Sequence, residues 1–590
     1  MKQALSITWD RLWQQHTRTK SALNVFSYAQ KGTSALKREA AEHEQAKQNS
    51  GGQPEPKEKK PYSRAQLVGL LLGPLLFFLT LMFFHPEGLP TEGRHVLAVT
   101  LWIATWWMTE AIPIPATSLL PLILLPITGA MEGSAVASSY GNDIIFLFLG
   151  GFFIATAMEK WNLHKRIALF IIAVIGTSTQ RILLGFMAAT AFLSMWVSNT
   201  AAVMMMVPMA LAITAQVAET LKGQKEGREL PKFEKAMLFG VGYAGTIGGF
   251  ATLIGTPPTI IFAGQVRELF GIEVSFASWM LFATPLMLVV LLFTWFYLGR
   301  IAFKTKIKEL PGGKEVIQSE RSKLGRISYE EGIVAGVFAF AAFMWITKDF
   351  FWSGDNAMIF QLPGISDGMV AIMATMFLFL IPGKASARIL DWADSRDIPW
   401  GVLLLFGGGL AIAAGFQSSG LSVWLGEQLT VLDGLHMLLI IGGATLLIMM
   451  LTEITSNTAT ATMIMPIVAS LAVAINVHPF ALMAPCAIAA NCAFMLPVGT
   501  PPNAIIFGTG KVKIIEMVRA GFWLNVFSTI LIVLAVYAFL PIVFDIDLSV
   551  FPDSLIIFLI VVQLFKVKLG KRLFSWQNRE VERRPPVEAY

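Results

Sequence analysis

The sequence is poor in charge. Of its 590 residues only 14% are Asp, Glu, Lys or Arg, while 55% are hydrophobic. A soluble chain of this length carries far more charge, so a water-soluble globular fold is excluded. Cysteine is scarce too. Cys486 and Cys492 both sit in an apolar run, and neither a disulfide framework nor a zinc site can be built from them. The seven histidines lie in tails, loops or the ends of apolar runs. No Ser/His/Asp set, paired-Asp set or metal-ligand set lies within the apolar segments, so an enzyme is not expected. Residues 1–61 hold no apolar stretch of the signal-peptide kind. The formal charge of +6 is no nucleic-acid signal, because Lys and Arg sit in loops and tails.

What is present is a succession of long apolar runs. Stretches of about 18 residues or more with few charges are long enough to cross a bilayer as helices. Open sheets cannot span lipid, and these runs lack the short alternation of barrel strands. The fold class is an all-α polytopic membrane protein. Single spans are predicted near 65–84, 96–110, 112–128, 140–159, 235–264, 274–300, 332–350, 368–383, 398–418, 479–508, 521–545 and 553–567. Two stretches, 181–217 and 436–475, are too long for one span, and each has a polar interruption near its middle. Residues 1–61 read as a cytoplasmic extension, either disordered or forming an amphipathic surface helix around Trp9, Leu12, Trp13, Val25 and Phe26.

Loop charge assigns sides. With the N-terminus in the cytoplasm and 181–217 a re-entrant hairpin, several basic loops fall inside. They are 160–181 (Lys160, Lys165, Arg166, Arg181), 218–235 (Lys222, Lys225, Arg228, Lys232, Lys235), the linker 301–330, 384–397 (Lys384, Arg388, Arg396) and 509–520 (Lys511, Lys513, Arg519). Segment 419–435, with Glu427 and Asp433 but no Lys or Arg, falls outside, and hairpin 436–475 enters and leaves from there. The basic tail after Lys566 falls inside if 553–567 spans.

The sequence also repeats itself. SNTAAVMMMVP from Ser198 matches SNTATATMIMP from Ser456, and the same offset pairs Gly150-Gly151 with Gly408-Gly409 and Ser194 with Thr452. GTPPTIIFAG from Gly255 matches GTPPNAIIFG from Gly499. Two halves, 62–300 and 331–545, therefore share one order of elements and, by loop charge, opposite orientations; residues 546–590 add an apolar segment and a tail. Inverted repeats with interrupted helices point to a binding site near the bilayer midplane. Each Ser-Asn-Thr step supplies hydroxyls, an amide and freed backbone groups. Each Pro-Pro pair removes N–H donors and blocks continued helix. Such breaks are tolerated only where buried in protein or lining a watered cavity. The oxygens suit sodium, and half-helix N-termini suit an anion. No Lys or Arg lies in these segments, so a doubly charged guest needs co-bound cations to offset its desolvation. Glu453 is a further candidate, either taking part in transport or bracing the second hairpin. Glu110 reads as a membrane-boundary residue and Asp143 as a helix cap.

These residues, with WWMTEAIPIPATSLLPL from Trp106, TLIGTPP from Thr252 and LPVGTPPNAIIFG from Leu496, resemble the divalent anion:sodium symporter family over about 65–545. The resemblance implies a homodimer in the cell inner membrane, working as an elevator with a scaffold and a transport domain. It implies sodium ions as co-transported cofactors. One would lie at Ser194, Ser198, Asn199 and Gly255, the other at Thr452, Ser456, Asn457 and Gly499. It implies that the substrate's carboxylates meet Asn199, Thr200, Asn457, Thr458 and Thr500. The expected activity is symport of four-carbon dicarboxylates such as succinate, malate and fumarate; the alternatives are citrate or sulfate symport, or sodium-independent exchange. Thr259 stands where the family often has Asn, and Gly499 where Ala is common.

Overall fold

A computed structural model describes residues 62–546 except 177, 222–228, 306, 308–312, 349–350, 352–363, 385–387 and 433–434. The extension 1–61, the apolar segment 553–567 and the basic tail lie outside the described residues. Eight helices in the described part are long and apolar enough to cross a membrane. The protein is a multi-pass membrane protein.

Helix α1 (Arg64–Phe83) starts at a capping box in which Ser63 and Gln66 satisfy each other's backbone N–H. It lies against α2 (Thr91–Thr109), with Trp106 Nε1 donating to Gly69 O at 2.9 Å and Gln66 Nε2 to Glu110 O at 3.1 Å. Glu110 is exposed and ends α2 in the left-handed region, at φ 48°, as suits a boundary residue. The run 112–128 is not the single span predicted. Pro113, Pro115, Pro121 and Pro126 divide it into Ile114–Thr117 and Pro121–Ile127, because each proline removes a donor and crowds the preceding turn. A short helix, Gly133–Ser139, leads into α3 (Asp143–Lys160). The cap of α3 is Asn142, which accepts from Ile144 N, and not Asp143. Asp143 instead accepts from Ser366 Oγ at 2.8 Å.

Helix α4 (Leu163–Ile175) leads to α5 (Thr179–Ser194) and α6 (Asn199–Thr220), two helices with a break at 195–198 near the middle of the stretch expected to form hairpin 181–217. The span 235–264 divides into α7 (Leu230–Gly249) and α8 (Pro257–Phe270), and α9 (Phe276–Phe296) follows. The linker holds α10 (Gly313–Leu324). Arg166 of α4 fastens its end, donating to Leu324 O, Gly325 O and Arg326 O and pairing with Glu331 at 2.8 Å. Lys323 and Lys165, at 2.6 and 3.1 Å, hold the Glu320 carboxyl of α10 below the usual carboxylate range.

The second half repeats the plan. It comprises α11 (Tyr329–Thr347), α12 (Asp367–Leu380), α13 (Trp400–Ser418), α14 (Leu421–Leu429), α15 (Met437–Thr452), α16 (Asn457–Ala474), α17 (Pro479–Asn491), α18 (Pro501–Gly508) and α19 (Ile514–Phe544). Two ion pairs fix how the broken helices run. Lys235 meets Glu516 at 2.5 Å, and Lys511 meets Glu234 at 3.2 Å. The start of α7 and the end of α18 thus share one end of the molecule, so α7–α8 and α17–α18 run in opposite directions. The shared end carries Lys232, Lys235, Lys511 and Lys513.

Close helix contact comes from small residues, as expected where lipid supplies no hydrophobic drive between helices. A Cβ on Gly248 of α7 would fall 2.5 Å from Ala191 Cα, and one on Gly150 of α3 would fall 2.6 Å from the Ala371 carbonyl carbon of α12. Both neighbours are backbone and cannot swing away. Gly150→Leu is therefore expected to destabilise the detergent-solubilised protein by about 1–3 kcal/mol. Gly443→Ala, where nothing lies within 4 Å, should be neutral or slightly stabilising. Thermal unfolding of both variants checks this, and equal melting temperatures would refute the packing argument.

Candidate functional site

The site is built around two chain breaks and two unwound straps. In the first half, α5 ends at Ser194 and α6 starts at Asn199 with Ser198 as its cap, Ser198 Oγ accepting from Ala201 N at 3.2 Å. Ala202 N bonds Ser198 O. This leaves the N–H groups of Asn199 and Thr200 at the positive end of α6 without an intrahelical partner. The second half has the same arrangement. α15 ends at Thr452, α16 starts at Asn457, and Ser456 O takes Thr460 N. Here the Ser456 side chain makes no cap bond. The Thr200 and Thr458 hydroxyls are half-buried and, among the described residues, unbonded.

Oxygen atoms crowd at each tip. Ser194 Oγ lies 2.5 Å from both Asn199 Oδ1 and Gly245 O. One hydroxyl proton serves one acceptor, so the second contact sets oxygen against oxygen. The same Asn199 atom lies 3.2 Å from Gly255 O and Gly245 O. The amide has two ways to resolve this. It can turn its nitrogen inward and donate to Ser194 Oγ, Gly255 O and Gly245 O. Alternatively its oxygen faces inward, its nitrogen reaches Asn491 Oδ1 at 3.4 Å, and a cation sits among the oxygens. At the second tip, Thr452 Oγ1 lies 2.6 Å from Asn457 Oδ1 and 2.7 Å from Ala490 O. Again one proton faces two acceptors. Hard oxygen donors of this kind suit a hard cation. Among the described residues no group of three or more His, Cys, Asp or Glu side chains could hold a metal ion, so neutral oxygens would do the work.

The predicted site residues fall into place unevenly. Ser194, Asn199 and Gly255 meet directly, as do Thr452 and Asn457. Ser198 Oγ is occupied by its capping bond. Gly499 packs on the carbonyl of Glu453, the residue after Thr452, and a Cβ there would lie 3.2 Å from that oxygen and 2.9 Å from Ala493 Cβ. Gly499 therefore lets the strap lie closer to the hairpin than alanine would. Thr500 caps α18, Oγ1 accepting from Asn503 N at 3.3 Å. Thr259 and Asn503 occupy matching positions and both tie their strap to itself. Thr259 Oγ1 lies within 3.2 Å of the carbonyls of Thr252, Leu253 and Thr256, and Asn503 Nδ2 donates to those of Ala493 and Leu496. The departure at Thr259 thus concerns strap geometry.

The prolines also redistribute donors. Pro257-Pro258 and Pro501-Pro502 open α8 and α18 without N–H groups at the first two positions. Those helices offer a dipole but few hydrogen bonds. The Asn-Thr steps, without proline, supply the N–H donors.

The straps are unequal. From the end of α7 the first runs through 250–254 to Gly255; from the end of α17 the second runs through 492–498 to Gly499, two residues longer. The first is fastened by Thr252, whose Oγ1 donates to Met195 O at 2.5 Å and accepts from Gly255 N at 3.1 Å. The second is fastened by Glu453, which is 2% exposed. Its carboxylate accepts from the N–H groups of Phe494, Met495 and Leu496 at 2.8–3.0 Å and from Asn525 Nδ2 at 2.7 Å. Of the two roles open to Glu453, the geometry shows the brace. Sequence reasoning missed Asn491, fully buried at the end of α17. Its only signal is that it is the single amide in the apolar run 479–491.

A helical membrane protein with paired, oppositely directed broken helices and oxygen-lined tips is a carrier and not an enzyme. The family profile described as "Sodium:sulfate symporter transmembrane region" matches residues 64–546, and the chain belongs to that family. It is 56% identical over 499 residues to the "Sodium-dependent dicarboxylate transporter SdcS" of Staphylococcus saprophyticus, covering 84% of this chain and 95% of the relative. The SdcS of Staphylococcus aureus strain USA300 is 55% identical with the same coverage. Among solved structures, Neisseria gonorrhoeae MtrF aligns over 82% of this chain and 96% of its own with a TM-score of 0.50 at 14% identity, a likeness of fold alone.

The brace makes a prediction. Glu453→Ala strands four buried donors, at about 1–3 kcal/mol for each left unpaired, and should lower the melting temperature sharply. Glu453→Gln keeps one acceptor oxygen and should fall between. Thermal unfolding in detergent tests the order; an alanine variant as stable as the parent would refute the brace.

Proposed function

We propose that this protein is a symporter that carries four-carbon dicarboxylates such as succinate, malate and fumarate into the bacterial cell together with sodium ions. The observation that carries the reading is the pair of oxygen clusters, Ser194–Asn199–Gly255 and Thr452–Asn457, each beside the N-terminus of a helix that offers free N–H groups. Sodium takes the clusters, with Ser198 and the Gly255 backbone at the first, and Ser456 and the Gly499 backbone at the second. The carboxylates meet Asn199, Thr200, Asn457, Thr458 and Thr500. Each substrate charge is then met by a cation and a helix dipole, where no Lys or Arg is at hand, and the desolvation cost of a dianion is offset. The dicarboxylate named for relatives above 50% identity supports this substrate over the sulfate of the family's description.

The same reading places the protein in the plasma membrane with its N-terminus in the cytoplasm, as a homodimer. The hairpins 181–217 and 436–475 move with their broken helices as a transport domain, which slides past a scaffold that carries α1 and α2. The shared basic end of α7 and α18 faces the cytoplasm, in keeping with the charge rule.

Uptake of labelled succinate into proteoliposomes should need an inward sodium gradient, and potassium should not replace it. Excess unlabelled malate or fumarate should compete, and sulfate and citrate should not. Sodium-blind uptake would remove the symport claim. Asn199→Ala and Asn457→Ala each delete a cation and carboxylate contact and should weaken coupled uptake by about 10–100-fold; unaltered transport by both would refute the site.

A further inference from the structure

Asn491, in the second half, joins the two halves of the site: its side chain bonds the first half and its backbone the second. Its Nδ2 donates to Thr246 O of α7 at 2.6 Å. Its Oδ1 accepts from Thr256 Oγ1, the cap of α8, at 2.7 Å, and faces Asn199 Nδ2 at 3.4 Å. Its backbone carbonyl accepts from Asn457 Nδ2, also at 3.4 Å. The preceding carbonyl, Ala490 O, belongs to the second oxygen cluster. This bridge has no counterpart at the end of α7. In the first half, α7 ends at Gly249, which has no side chain and against which the Asn199 amide is packed.

We propose that Asn491 is a positioning residue that makes cation binding at the two tips cooperative. This rests on the sodium sites proposed above. A cation among Ser194 Oγ, Gly245 O and Gly255 O favours the Asn199 orientation with oxygen inward. The Asn199 nitrogen then faces outward and donates to Asn491 Oδ1, which has one lone pair for Thr256 and one for Asn199. Without the cation, the nitrogen turns inward and the oxygen outward, so that two acceptors, Asn199 Oδ1 and Asn491 Oδ1, face each other across the bridge. Filling the first cluster therefore holds Asn491 in place. Its backbone, which carries Asn457 and leads directly from Ala490, is held with it, so the second cluster is ordered before its cation arrives. By linkage, the second cation favours the first equally. Nothing in the arrangement asks Asn491 to touch the substrate.

The test is the sodium dependence of succinate uptake in proteoliposomes at constant ionic strength. In the parent protein the curve should be sigmoidal, with a Hill coefficient between about 1 and 2 for two coupled sites. Asn491→Ala should lower the coefficient to that of two independent sites and raise half-saturating sodium by roughly 5-fold or more. The succinate KM at saturating sodium should stay within about twofold. Thr256→Val removes the hydroxyl that fixes Asn491 while leaving the amide in place. It should change the sodium curve in the same direction even if the alanine variant folds poorly, and Thr256→Ser should restore it. The double variant Asn491→Ala with Thr256→Val should be no worse than the single, because both act through one contact. If Asn491→Ala and Thr256→Val lower only the maximal rate and leave the shape and midpoint of the sodium curve unchanged, Asn491 is a packing residue and the inference fails. A hyperbolic sodium curve in the parent also overturns it while leaving symport intact. Uptake indifferent to sodium defeats the symport reading itself.

Discussion

Everything in this structure follows from one constraint: a backbone broken inside a membrane must have its freed N–H and C=O groups satisfied by the protein. Four helices begin at such breaks, at Asn199, Pro257, Asn457 and Pro501. Each strap between them needs a fastener, and the two halves use different ones. The first uses a neutral hydroxyl, Thr252, and the second a buried carboxylate, Glu453. Where the fasteners leave oxygens clustered, a cation is the natural partner. Where the helix starts leave N–H groups, an anion is. The proposed binding groups are thus a by-product of solving a folding problem, and the proposed site draws on no charged side chain of its own.

Much of this was legible in the sequence, and the reasons differ by element. The long apolar runs fixed the helices because length and composition decide membrane spans with little help from packing. The Ser-Asn-Thr and Gly-Thr-Pro-Pro repeats marked the breaks because Pro and small polar residues are punctuation in an apolar run. The predicted hairpin tips fall where α5 gives way to α6 and α15 to α16. The pairing of Ser194 with Thr452, read from one offset, returns as a matched pair of hydroxyls, each set between an asparagine oxygen and a backbone carbonyl.

The rest was not legible for reasons that differ by element, some local and some set by contacts between halves. The run 112–128 reads as apolar, and only its prolines, spaced closely enough to deny any long helix, divide it. Asp143 reads as a cap, but Asn142 is one residue earlier and reaches Ile144 N. The breaks begin at Gly249 and Asn491, ahead of the Gly-Thr-Pro-Pro motifs, since the straps need length to pass the hairpin tips. No offset in the sequence finds Asn491, because its partners are Thr246, Thr256 and Asn199 in the other half, and its counterpart at the end of α7 has no side chain to align.

The unequal straps bear on how far the two halves can be exchanged for one another. A second strap with two added residues but no acid would bury three N–H groups without partners. An acid at position 453 without the longer strap would bury a carboxylate with few donors to meet it. Each change alone is unfavourable, and together they are compatible. The longer strap and Glu453 therefore form a linked pair that distinguishes the two halves, and a chain built from two copies of the first half would lack it.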